Sequence, residues 1–162
     1  LEVILHLLSG FFTYSKTIRD DIIDNSSGRY NYPQGGFISA LFNLLVSSIP
    51  ASLKATIFDT FSSICVDTKR AEYIWQQLEG SQILTKEFVE NGQGGIIMDI
   101  DVVETNAKTF PLLSSFISFI ASFLRSNPSI EIIESGGNYF KLYHRFLMEQ
   151  GLLKLKSRIF LN

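Results

Sequence analysis

The stretch Pro50-Ala51-Ser52-Leu53-Lys54-Ala55-Thr56-Ile57-Phe58-Asp59-Thr60-Phe61-Ser62-Ser63-Ile64 repeats Leu53, Ile57, Phe61 and Ile64 at steps of three and four residues. Ser52, Asp59, Thr60 and Ser63 fall between them. That spacing is the signature of a helix with one apolar face. Asp67 follows at once, placed to cap a second helix whose buried face is Ala71, Ile74, Trp75 and Leu78, with Gly80 as its stop. Upstream, Phe37, Leu41, Leu44 and Leu45 keep the same period. That helix is expected to end near Ile49, because a residue preceding proline is pushed out of the α region. Ser48 then caps the next helix, with Pro50 in a first turn where its missing N–H costs nothing.

Three successive helices of about 12–15 residues on short turns are expected to lie antiparallel and side by side, as in helical solenoids. The fold class read from this is all-α, with antiparallel helix pairs stacked as part of an α-solenoid of the HEAT/ARM kind. No repeat at the level of sequence identity supports a period, so the reading rests on element lengths. Residues 1–162 are taken as a single segment of a longer solenoid, with loops near 25–36, 91–98 and 126–137.

Leu1, Ile4, Leu5, Leu8, Phe11, Phe12, Ile18 and Ile22 predict a first helix to about residue 23, apolar on one face despite Gly10 and long or weakly broken. Ile100, Val103, Ala107 and Phe110 predict a short helix that Asp101 and Glu104 cap as a box. Pro111 starts another, running to about Arg125, whose Ser114, Ser115, Ser118 and Ser122 suit the close approach of a neighbouring helix. Asn138 can cap a helix with Tyr139, Leu142, Tyr143, Phe146 and Leu147 on its apolar face, ending at Gly151. Leu153-Lys154-Leu155-Lys156 alternates like a strand, but helix is favoured because a lone strand has no partner.

The chain is 46% hydrophobic with a mean hydropathy of +0.18. Such apolar excess points to faces shared with a partner. It opens on Leu1 within an apolar run and closes soon after Phe160, so both ends are expected to continue into a longer polypeptide. The most membrane-like stretch, 110–124, is about 15 residues and interrupted by serines, against the ~20 apolar residues a bilayer requires. A net charge of −2 and a pI of about 5.7 argue against direct nucleic-acid binding.

Candidate chemistry is thin. His6 and His144 are far apart, and neither has a Cys or second His at zinc-ligand spacing. Cys65 is expected as a packed thiol between Ile64 and Val66. No Gly-x-Ser-x-Gly elbow occurs. Gly92-Gln93-Gly94-Gly95 lacks the Lys-Ser/Thr of a phosphate loop. Asp99, Asp101 and Glu104 fit capping better than calcium binding or acid–base work. No catalytic, cofactor or metal residue is assigned. Tyr73 and Trp75 are candidate lining residues of a partner groove, though Trp75 better suits a pin between adjacent helices. Lys141 and Arg145, in a locally basic region with Lys154, Lys156 and Arg158, read first as a solvated helix face and second as candidates for docking an acidic peptide or partner helix.

The run Ser48-Ile49-Pro50-Ala51-Ser52-Leu53-Lys54-Ala55, then Phe58-Asp59-Thr60-Phe61, Trp75-Gln76-Gln77-Leu78-Glu79 and Ser81-Gln82-Ile83-Leu84, resembles the large inner-ring scaffold nucleoporins. Asp101-Val102-Val103-Glu104 ahead of Phe110-Pro111-Leu112-Leu113 is similar to an acidic helix and aromatic-Pro-Leu step of that family. The resemblance covers about residues 41–160, with nothing recognisable in 1–36, and the larger of two paralogous branches looks nearer. It implies a karyopherin-like solenoid at the nuclear envelope, built into the pore's symmetric core and serving nucleocytoplasmic transport of protein and mRNA. It also implies other nucleoporins as partners, including short motifs of linker nucleoporins. A soluble helical-repeat transport receptor or adaptor would share this architecture, and an enzyme fragment ranks last.

Overall fold

The structure, a computed structural model, describes residues 1–26, 36–81, 83 and 96–129, with the isolated positions 132, 144, 145, 147 and 148. The chain divides into two compact units, Leu1–Pro128 and Ser129–Asn162. The described part of the first is all helical: α1 (Glu2–Tyr14), α2 (Lys16–Ser26), α3 (Gly36–Leu45), α4 (Ala51–Ile64), α5 (Thr68–Ser81), α6 and α7 (Pro111–Arg125). Helix α6 is continuous but changes pitch, with Ile96–Met98 followed by a π-helical stretch, Asp99–Glu104, and then Thr105–Ala107.

The predicted first helix is two. The break falls at Ser15, not at Gly10, which sits inside α1 with open space around it. Ser15 is extended (φ −118°, ψ 107°), gives its N–H to the Phe11 carbonyl at 2.8 Å, and accepts from the Ile18 N–H at 3.4 Å. One serine thus ends α1 and opens α2. Arg19 reaches back to the carbonyls of Phe12 and Thr13, satisfying acceptors that the end of α1 leaves open.

Helix α3 ends at Leu45, earlier than predicted, and Val46 to Ser48 form a turn. The cap of α4 is Pro50, not Ser48. Its extended ψ of 145° keeps it outside the helix, while its carbonyl accepts from Leu53 (3.0 Å) and Lys54 (3.1 Å). Asp67 caps α5 as predicted, accepting from the Arg70 N–H at 3.0 Å, and Ala71, Ile74, Trp75 and Leu78 are all fully buried. Gly80 does not stop α5, which continues through Ser81.

Sequential neighbours were expected side by side, but α4 packs chiefly against α1 and α7 and meets α3 and α5 lightly. The reason is its circumference: Lys54, Ala55, Thr56, Ile57 and Phe58 are consecutive and all buried, so α4 needs cover on several sides. Phe58 meets Phe116 edge-on at 5.1 Å and Phe119 at 5.7 Å, while Phe61 stacks on Phe42 of α3 at 4.6 Å. Such pairs add about 0.5–1.5 kcal/mol each beyond their burial.

Helix α7 runs Pro111–Arg125 as predicted, its inner face made of Leu112, Leu113, Phe116, Phe119, Ile120 and Phe123. Of the four serines expected at a close contact, only Ser115 is buried, and Ser114 and Ser118 are exposed because the phenylalanines occupy the contact face. The loop predicted near 91–98 does not extend over its last residues, where Ile96–Met98 is helical. Residues 27–35 and 91–95, the side chain of Ile22, Lys141 and the 153–156 segment lie outside the described residues, as does the helix expected after Asn138 apart from the helical positions 144, 145, 147 and 148. No described helix is long and apolar enough to cross a membrane.

Candidate functional site

Among the described residues, the buried charges gather at α4, α6 and the start of α7. Lys54 lies in the middle of the core, 1% exposed, because α1 and α7 cover both sides of its helix. Its ammonium pairs with Asp99 Oδ2 at 2.6 Å, at the first residue of the π-helical stretch. Burying two charges is costly unless they are paired, so removing one partner deprives the other of its compensating charge in the interior.

Glu104 ends the same stretch and is buried. Its carboxylate accepts from the Leu112 N–H and, at 3.1 Å, from the Leu113 N–H. The box predicted for Asp101 and Glu104 at the start of their own helix is not formed by Glu104, which caps the next helix instead. Pro111 brings no N–H, so the donors Glu104 meets are the free ones at the start of α7, where an anion is favoured. Burial pushes the Glu104 carboxyl above the usual carboxylate range; the two N–H donors oppose this, and the Asp99 charge adds to it. Lys108, left-handed at φ 55° and ψ 26°, turns the chain between α6 and α7.

The remaining candidates scatter. Trp75 exposes none of its surface: it stacks on Phe123 of α7 at 4.5 Å and donates its indole N–H to Glu79 at 2.6 Å. It therefore lines no groove in this unit. Thr68 reinforces the same junction, donating its hydroxyl to the Ser126 carbonyl at 2.7 Å. Tyr73 is half-buried, and burial raises its phenol. Arg145 and His144 are exposed helical positions of the second unit, and His6 is exposed on α1. Cys65 is buried at the end of α4, which pushes its thiol up to about 12 and makes it a poor nucleophile. Among the described residues no group of three His, Cys, Asp or Glu is placed to hold a metal ion.

Sequence reasoning missed two features. A second polar cluster joins α2 to α5, where Arg70 pairs with Asp20 and Asp67. On α1, Val3, Ile4, Leu7, Phe11 and Tyr14 stand more than half exposed, at 54–91%. The sequence spacing puts Ile4 and Phe11 on one apolar face with Leu5 and Phe12, and the structure separates them, with Leu5 and Phe12 buried and Ile4 and Phe11 open.

A buried ion pair, a buried cap and an open apolar face describe a structural module. The model of the nuclear pore complex scaffold family, nucleoporins 186/192/205, matches residues 1–135. The chain belongs to that family. Members of this scaffold family are components of the nuclear pore complex at the nuclear envelope. The match starts at residue 1 and so includes 1–36, the part in which no resemblance was recognised. Human nuclear pore complex protein Nup205 is 27% identical over 163 residues, covering 99% of this chain. The chain spans 8% of that relative's length.

Proposed function

We propose that this chain is a length of inner-ring scaffold, one stretch of an α-solenoid that holds other nucleoporins in place and so supports nucleocytoplasmic transport. The family match over residues 1–135 carries the reading. The structure adds physical support. Every charged group in the described core is engaged in holding helices together, with Lys54 against Asp99 and Glu104 against the start of α7. Helical repeats bind partners through grooves and exposed helix faces, which need no reactive group. The similarity to Nup205 favours the larger branch. Tyr73 and Arg145, both reachable by solvent, are the better placed of the proposed contacts for linker motifs.

The test is localisation of the tagged protein expressed from its own gene. A nuclear-rim pattern with slow recovery after photobleaching, and copurification with inner-ring nucleoporins, are expected. A diffuse signal that recovers quickly would replace the scaffold by a mobile transport receptor.

A further inference from the structure

Helix α1 is apolar on two opposite sides. Leu5 and Phe12 point inward, 1% and 0% exposed, against the α4 side of the core. Val3, Ile4, Leu7, Phe11 and Tyr14 follow one another at helical steps along the other side, all in contact with solvent. Glu2, His6, Ser9 and Thr13 form a separate polar strip between the two. A helix apolar on both faces is an interior helix, covered on two sides.

The missing cover has a definable chemistry. The exposed residues run along a helix ridge with no charged group among them, which suits the apolar face of another helix. The family supplies its source. The relative aligned with 99% of this chain does so within 8% of its own length, so there this module is one part of a far longer polypeptide.

We propose that the outer face of α1 is a stacking surface for an amphipathic helix of the same polypeptide lying outside residues 1–162. The proposal rests on the scaffold reading and names the contact that would join this module to the next. A photo-crosslinking amino acid at Leu7, with a second variant carrying it at His6 on the polar strip, tests it in the purified protein expressed from its own gene, without partners. The Leu7 probe is expected to form a cross-link that maps to the same molecule beyond residues 1–162, and the His6 probe far less. In parallel, Leu7→Cys should react with a maleimide on the order of 100-fold more slowly than His6→Cys, because labelling then waits on local opening. Equal labelling rates would overturn the proposal. So would cross-links from Leu7 into residues 129–162, to a second copy of the chain, or only to another nucleoporin once that partner is added. Rim localisation is scored separately, so a mobile protein with a protected Leu7 would lose the scaffold reading and keep this contact.

Discussion

Helices α1 and α4 touch, yet their burial runs opposite to their composition. Helix α4 carries Lys54, Thr56 and Thr60 and buries all three, while α1, richer in large aliphatic and aromatic residues, leaves five of them open. Hydropathy states which faces need cover. Only the arrangement of neighbours states which faces receive it, and α4 receives it because α1 and α7 lie on either side. The polar residues tolerated inside α4 are those that find partners: Thr60 donates to the Thr56 carbonyl at 2.8 Å, and Lys54 holds Asp99.

Breaking the closed side of this contrast should have the largest effect. Asp99→Ala removes the carboxylate that meets the buried Lys54 ammonium at 2.6 Å and is expected to cost about 3–5 kcal/mol in chemical denaturation. The double change Lys54→Met with Asp99→Leu should recover most of that loss, because neither charge remains to be desolvated. Alkali offers a second route into the end of α4. The folded Cys65 thiol titrates at about 12 against an ordinary value near 9, so its contribution is complete below pH 9 and falls as pH rises toward 12. The loss reaches about 4 kcal/mol at the top of that window, and comparing wild type with Cys65→Ala across pH isolates it. Glu104→Ala should cost about 2 kcal/mol by leaving two N–H groups without their charged acceptor, and hydrogen exchange should quicken first in the opening turn of α7. Smallest of all, Leu7→Ser on the open side should change the stability of this module by no more than about 0.5 kcal/mol. A much larger loss would mean that the outer face of α1 is closed within the module and would collapse the contrast.

The helices themselves were legible because their periods are local. Leu53 through Ile64, the Asp67 cap and the extent of α7 all follow from residues within a few turns of one another. What escaped depends on residues distant in sequence. Lys54 reads as a solvated position until Asp99 is brought to it, and Glu104 reads as part of its own helix until the turn at Lys108 sets α7 against it. The pitch change at 99–104 has no local marker, since Asp-Ile-Asp-Val-Val-Glu is compatible with an ordinary helix. The break at Ser15 was not legible because the apolar period runs past it, and a capping serine, with Arg19 beyond it, is a weaker local marker than glycine or proline. Trp75 was legible as a helix pin, and its stacking partner Phe123 was not.

The pairing of Lys54 with Asp99 also bears on how this family can change over generations. Losing either residue first leaves an interior charge without its opposite across the 2.6 Å contact, so a lineage crosses that valley rarely and, once both are apolar, returns as rarely. Positions 54 and 99 should therefore be inherited as a unit: an acid with a base in some lineages, two hydrocarbons in others, and mixed combinations scarce in both.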